Sequence, residues 1–398
     1  MMERVVITGM GAVSPIGNTV NELMQGIALG KQGIAHIRNF PSEHFPSKLG
    51  AEVKLNENAA KISIDRKIFF LAKALAELLD DNAIFQNYSP INRILNIGSG
   101  LDYFDLPNYV GSTDRKLNQW HQYSKNAYHA IEKLAQKYQI QGGINVNVSA
   151  CVASNHALGL SFRMLKQSQQ KIIVTGGTDS MLNPLHYMGF YKLGALSNWE
   201  GKPQEGCRPF DKNRCGLVLG EGSAVFLLQN AREAITDKII AEIVGYSSTM
   251  DTYLVTDPQP EGLLLAKAAR QAIQEADITP NDIDCVHLHG TGTPKNDPAE
   301  ANAMKLIFGG RATEIPVFSL KGQVGHLIAA CGALEMLGVI YSLQTQQVPP
   351  TINFTDPDPE IPLKVVTDKP LKIPINYVLK LNAAFGGQNT AFVVKKYA

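Results

Sequence analysis

An α/β fold made of two similar halves is predicted by three features of this sequence. Apolar runs of strand length alternate with runs of helical period along nearly the whole chain. The order of these runs in the second half echoes that in the first, and no short solenoid-type repeat is present. Between the halves lies a polar stretch at 229–238, which divides the chain into 1–235 and 236–398. Alternating strands and helices predict mostly parallel sheets covered on both faces.

The elements follow in order. Arg4–Thr8 reads as a buried strand, and the Gly-Met-Gly turn after it leads to a helix at Thr19–Ala28. Position 14 is Ser, so Gly9-x-Gly11 lacks the third glycine of a dinucleotide fingerprint. After a loop-rich stretch, RKIFFLAKALAELL predicts a helix over 66–79, with Arg66 and Lys67 in a first turn where the dipole disfavours cations. Ile94–Gly100 is a strand, 101–126 is irregular, and Ala127–Lys137 is helical. Ile144, Val146 and Val148 alternate with asparagines as in a strand with one apolar face. A sharp turn then places Cys151 at the start of a helix containing Leu158, Phe162 and Leu165. Strands are predicted at Lys171–Gly177 and Ser223–Leu228, with a loop or short helix around Phe190 between them. In the second half, strands at 239–244, 284–289 and 317–320 alternate with helices at 262–276, 299–307 and 327–343. Late strands at 377–381 and 391–394 complete the pattern.

Composition narrows the function classes. Of 398 residues, 44% are apolar and 18% charged, a well-filled globular composition. A formal net charge of +1 gives no overall basic field for nucleic acid or an anionic membrane. The five cysteines, 151, 207, 215, 285 and 331, form no C-x-x-C pair, so reduced thiols in a cytosolic protein are expected. MMERVVITGMG has no apolar run or cleavage site of a signal peptide. The apolar run 327–343 is short for a membrane span and carries Glu335, which demands a cationic partner in the core.

Three stretches carry chemistry. At the turn before its helix, Cys151 meets unpaired N–H groups and the positive helix end, both of which favour a thiolate. In VHLHGTGTPKND an apolar strand delivers His289 into a glycine–threonine turn. His287 and His289 could form a metal pair, but no third ligand stands at a suitable spacing. In VFSLKGQVGHLIAACGALE, Lys321 is the cation nearest Glu335, and His326 opens the apolar helix. An imidazole buried there stays neutral and can donate an N–H to a developing oxyanion.

Together these residues resemble the elongating β-ketoacyl-acyl-carrier-protein synthases of the thiolase superfamily. The resemblance rests on Ala150-Cys151, HGTGT at 289–293, Ser319-x-Lys321 with Gly325-His326, and Glu335. VPPTIN at 348–353, Phe385-Gly386-Gly387, the opening RVVITGMGAVSPIGN, and RPFDKNRCGLVLGEG at 208–222 extend it. It runs from about residue 3 to the end and is weakest over 101–145. It implies a thiolase fold, two similar halves in a five-layered α-β-α-β-α sandwich, usually dimeric as a homodimer or as a heterodimer with a ketosynthase-like subunit. Cys151 would take an acyl group from a phosphopantetheine thioester of acyl carrier protein. The N–H groups of Cys151 and Phe385 would form the oxyanion hole. His289 and His326 would stabilise the enolate of decarboxylating malonyl-carrier protein, with the Lys321–Glu335 pair positioning His326. Thr291 and Thr293 match pantetheine-binding positions. Phe190 and Phe385 match the gate to the acyl pocket, with Gly386 beside them, and Arg66 and Lys67 match a basic helix start that meets the carrier protein. No resident cofactor or metal is implied.

Two departures stand out: Ala383 replaces a family phenylalanine, and Gln388 a common threonine. With the weak match over 101–126, they imply a reshaped acyl pocket. Rival readings fit less well. Non-catalytic chain-length-factor-like subunits typically lack the cysteine, degradative thiolases use a second cysteine with one histidine, and starter synthases carry Cys-His-Asn.

Overall fold

The computed structural model describes residues 3–55, 65–104, 124–167 and 171–397. In the first half the main strands are β1 (Val5–Val13), β2 (Arg93–Ser99), β3 (Ile144–Asn147), β4 (Ile172–Ser180) and β5 (Leu219–Asn230). The second half contributes β6 (Ala241–Met250), β7 (Cys285–His287), β8 (Pro316–Phe318), β9 (Lys364–Val365), β10 (Tyr377–Ala384) and β11 (Gln388–Lys395). The first half of the sheet runs β3-β2-β4-β5-β1, and the second runs β8-β7-β10-β11-β6 with β9 outside β8. The two halves thus share one strand order. They meet where β1 pairs β6 antiparallel over three residue pairs, Val5 to Ile7 against Ile243 to Ala241.

The sheet is mixed rather than mostly parallel. Strands β3, β2 and β4 run parallel, as do β8, β7 and β10, whereas β5 and β11 lie antiparallel to both their neighbours. Only Phe385-Gly386-Gly387 joins β10 to β11, and so short a link can close only a hairpin. Gly386 and Gly387 stand at φ 82° and 76°, a region that penalises side chains.

Helices α1 (Val20–Ala28), α2 (Arg66–Leu79), α3 (Ala127–Lys137), α4 (Ala153–Gln167), α5 (Pro184–Lys192), α6 (Leu263–Glu275), α7 (Asn296–Phe308) and α8 (Cys331–Thr345) cover it. Helix α2 covers the outer face of the first half, with α3 beside it, and α6 and α7 cover that of the second. Between the half-sheets lie α4 and α8, packed on each other, which completes a five-layered thiolase fold. Three apolar clusters fill the interlayers: one around α2 and α3, one around α6 and α7, and the largest at the centre. Ile328–Thr345 is long and apolar enough to cross a membrane by composition alone, but 89% of it is buried in this central layer.

Most expected boundaries shift by a few residues, and α2 and α3 match to the residue. The strand at β3 is shorter than its apolar alternation. Ile144 and Val146 pack into the outer cluster, whereas Val148 lies beyond the strand and is exposed. Of the irregular stretch 101–126, residues 105–123 lie outside the described residues.

Candidate active site

Cys151 sits on a strained elbow. Ala150, just before it, adopts φ 48°, an unfavourable region for an alanine. A 3-10 turn at Ala150–Val152 then passes directly into α4. The elbow packs hard on β2: a Cβ at Gly98 would stand 2.2 Å from the Ser154 nitrogen, so only glycine fits. The Phe385 N–H, from the β10–β11 hairpin, faces the Cys151 sulfur and favours its thiolate.

Around that thiol the second half places its own groups. Ring nitrogens of His289 and His326 and the Cys151 Sγ all lie within 4.8 Å of one another. The two rings stand nearly perpendicular, with centroids 5.1 Å apart. His326 Nδ1 accepts the Ile328 N–H at 3.0 Å, so the ring hydrogen is on Nε2. His289 Nδ1 lies 3.1 Å from Lys321 Nζ, which can only donate, and 2.9 Å from Asn382 Nδ2. His289 is therefore also an Nε2–H tautomer. Lys321 pairs with Glu335, both fully buried, and also donates to the His289 carbonyl at 2.5 Å. The carboxylate expected to need a cation has it, and Lys321 holds Glu335 down to about 2 against its burial.

Charge at the centre differs from expectation in one respect. Burial pushes the Cys151 thiol up to about 12, opposed by Lys321 and the Phe385 N–H. The resting side chain is a thiol, not the thiolate that a helix N-terminus alone would favour. Burial and the Lys321 charge pull His326 down to about 3 and His289 well below its ordinary value, so both rings are neutral.

The HGTGT turn is tied down by two carboxylates at the start of α7. Glu300 accepts the His289 and Gly290 N–H groups at 2.6 and 2.7 Å, and Asp297 accepts that of Thr291 at 3.1 Å. Thr291 and Thr293 hydroxyls are 2.8 Å apart, and both line the cavity above Cys151. This cavity, about 280 Å³, is also bounded by Phe190, Phe385 and Ala383. The Phe190 ring, carried on α5, stacks on Phe385 at 6.4 Å between centroids. Gly386 lies in the hairpin turn, its N–H donating to the Val255 carbonyl at 2.7 Å.

Two expected placements do not hold. Lys67 is 1% exposed, tied to Asp65 and the Leu101 carbonyl, and Arg66 grips the buried Glu221 through two nitrogens. These cations compensate buried acids instead of presenting a basic surface, so a carrier protein cannot reach Lys67. The His287–His289 metal pair, which the spacing already argued against, has no geometric support either. Strand β7 ends at His287, so His289 lies beyond it and no strand face holds both rings. His287 is buried edge-on against Phe318. Cys151, His289 and His326 are close enough for a metal, but both Nδ1 atoms are occupied as acceptors, which leaves N–H rather than a lone pair at Nε2.

The chain is similar to known proteins over its whole length. Residues 2–234 match the N-terminal domain of β-ketoacyl synthases and residues 240–355 match their C-terminal domain. The chain belongs to the β-ketoacyl synthase family. Among its relatives within that family is the 3-oxoacyl-[acyl-carrier-protein] synthase 2 of Synechocystis sp., 32% identical, covering 99% of this chain and 98% of the relative. The enzyme of the same name from Coxiella burnetii is also 32% identical, with the same coverage. Among solved structures, a β-ketoacyl synthase from Burkholderia phymatum superposes with TM-score 0.85 at 28% identity, each chain covered in full. A type II polyketide acyl-carrier protein in complex with its ketosynthase gives TM-score 0.87 at 26% identity, again over both full chains.

Sequence reasoning missed several residues of this family member's site: Asn382, Lys380, Asn155, Asp297 and Glu300. Asp297 and Glu300 carried a signal, two acids spaced i, i+3 just after HGTGT. The other three are polar residues at buried positions, and nothing in their local patterns marks them.

Proposed function

We propose that this chain condenses an acyl group, held on Cys151, with malonyl-carrier protein to give a β-ketoacyl thioester two carbons longer. One observation carries the reading: a buried thiol faces two neutral imidazoles, each locked with its hydrogen on Nε2. In the first step Cys151 Sγ attacks the thioester of an acyl-carrier protein. The oxyanion sits between the N–H groups of Cys151 and Phe385. The C–S bond to pantetheine breaks, and the thiol proton ends on the departing sulfur. In the second step malonyl-carrier protein loses CO₂. The electron pair becomes an enolate whose oxygen accepts hydrogen bonds from His289 and His326. Its carbon attacks the acyl group, and Cys151 leaves as thiolate. A thiolate in so buried a place is strongly basic and takes up a proton, restoring the resting state.

Thr291 and Thr293 would hold the pantetheine arm in the cavity, and Phe190 with Phe385 would gate the acyl end. Acyl carrier protein is the partner, and the active assembly is a homodimer or a heterodimer with a ketosynthase-like subunit. A purely non-catalytic partner role is disfavoured because Cys151, His289, His326 and Lys321 are all present and assembled.

Intact-protein mass after incubation with a panel of acyl-carrier proteins tests this. An acyl adduct is expected on the wild type and not on Cys151→Ala, and it is expected to discharge on adding malonyl-carrier protein. An adduct that survives Cys151→Ala, or that malonyl-carrier protein leaves in place, overturns the proposal.

A further inference from the structure

Behind the catalytic groups lies a second buried cation that the two-step reading does not use. Lys380, on β10, is fully buried. Its Nζ donates to Asn155 Oδ1 at 3.0 Å and also to Asn382 Oδ1, and it stands 3.7 Å from Glu335 Oε2. Asn155, on α4, donates from Nδ2 to the same Asn382 oxygen at 2.9 Å and to Thr390 Oγ1 at 2.9 Å. The Asn382 oxygen thus receives two donors, one of them an ammonium.

That fixes which way the Asn382 amide points. An amide orientation is assigned from its hydrogen-bond network, and here the network permits one answer. Reversed, Asn382 would turn its NH₂ against two donors and its oxygen against the Glu335 carboxylate. As placed, its NH₂ meets Glu335 Oε2 at 2.6 Å and His289 Nδ1 at 2.9 Å. His289 Nδ1, which Lys321 Nζ also faces at 3.1 Å, must then accept from the nearer Asn382 amide, and its hydrogen lies on Nε2. Burial pulls Lys380 down to about 8, countered by Glu335, yet a neutral amine donates to Asn382 as an ammonium does.

We propose that Asn382, oriented by Lys380 and Asn155, is a positioning residue that holds His289 in the tautomer able to donate to the enolate. The lock spans three elements of both halves, α4, β10 and β11. It rests on the reading of His289 as that donor, but its own readout does not need the reaction.

The test replaces the donor by an acceptor of nearly the same shape, Asn382→Asp, with selective ¹⁵N labelling of the nine histidines. His289 is assigned by difference from His289→Gln. Long-range ¹⁵N–¹H correlation of the wild type should show His289 with its hydrogen on Nε2. In Asn382→Asp a population with the hydrogen on Nδ1, facing the new carboxylate, should appear beside the Nε2 tautomer that Lys321 still supports. Malonyl-carrier protein decarboxylation should fall on the order of 100-fold, the effect of losing one oxyanion donor. Acyl loading of Cys151 should stay within about twofold, because that step uses the backbone N–H pair. Should Asn382→Asp fail to fold, Lys380→Met frees the Asn382 oxygen, and a mixture of His289 tautomers is expected. His289 remaining wholly Nε2-protonated in the folded variant overturns the proposal. A tautomer that moves while decarboxylation is unchanged supports the lock and instead removes His289 as the enolate's donor.

Discussion

At the scale of single residues, the site is governed by burial more than by the helix end. Cys151 rises from an ordinary value of 9.0 to about 12, which is about 4 kcal/mol against the thiolate. A helix dipole contributes at most ~2 kcal/mol in its favour. The cation that acts on the thiol, Lys321, is already neutralised by Glu335. Alkylation of the acyl-free protein by iodoacetamide, followed by mass, should therefore accelerate about tenfold per pH unit through pH 9. A plateau below pH 8 would show a thiolate at rest. The histidines give a second prediction. His326 is pulled down to about 3 and His289 well below its ordinary range, so neither charges near neutrality. Carbon dioxide release from malonyl-carrier protein should be level between roughly pH 5.5 and 7.5, with no inflection near 6.5. An inflection there means that a ring is protonating and that the donor argument fails. These residues were legible because their types are distinctive: a cysteine at a turn, a histidine entering HGTGT, a carboxylate in an apolar helix. Their electrostatic surroundings were not, because Lys380, Asn155 and Asn382 converge from segments more than two hundred residues apart. The same limit misplaced Arg66, whose partner Glu221 is 155 residues away and is met only once α2 is docked, whereas Asp65, the partner of Lys67, stands two residues before it in the sequence.

At the scale of elements, the elbow is used twice. Ala150 at φ 48° opens a 3-10 turn that leads into α4, and Ile328 at φ 46° opens a 3-10 turn, Ile328–Ala330, that leads into α8. One residue past each comes Cys151 in the first half and Ala329 in the second, so the two halves share a device and only one bears a thiol. The second elbow still contributes, since the Ala329 N–H donates to Asp179 at 2.9 Å, tying α8 to the end of β4. A left-handed conformation costs an ordinary residue about 1–2 kcal/mol. Ala150→Gly should therefore hold or raise stability by up to about 1 kcal/mol, read as the urea midpoint. Ala150→Val, branched at Cβ, should lower the midpoint and the rate of acyl loading together. A loss of stability in Ala150→Gly would show that the elbow is not strained. Periodicity revealed that a strand turned into a helix here, and it placed α2 and α3 to the residue. The positive φ and the strand directions were hidden, because alternating apolar residues look the same whichever way a strand runs.

At the scale of the whole molecule, the halves are alike in plan and inseparable in packing. Along the sheet, among the described residues, they share the three pairs between β1 and β6, flanked by the Arg4–Glu242 ion pair, and the bridge of Leu219 to His326. What joins them is the central layer. Its apolar cluster takes Leu158, Phe162 and Leu165 from the first half and Leu334, Leu337 and Ile340 from the second, all buried together. Burying one such side chain contributes about 1.5–3 kcal/mol. Exposing a handful on each side of a cut would thus cancel the entire ~5–15 kcal/mol by which a protein is ordinarily stable. The seam at 235 that the sequence suggests therefore marks a repeat of plan and not a unit that stands alone. Expressed separately, 1–235 and 236–398 should each fail to give a monomer with a cooperative thermal transition by circular dichroism. Mixed during refolding, they should recover a complex of one copy each that regains acyl loading at Cys151, because Phe385 and the two histidines come from the second piece. A piece that melts cooperatively alone, as a monomer on size-exclusion chromatography, would mean that the interlayer contributes less than its apolar area requires. The catalytic arrangement has the same dependence: the nucleophile and its own N–H are set by the first half, and Phe385, the two histidines and Lys321 by the second, so the site exists only at their contact.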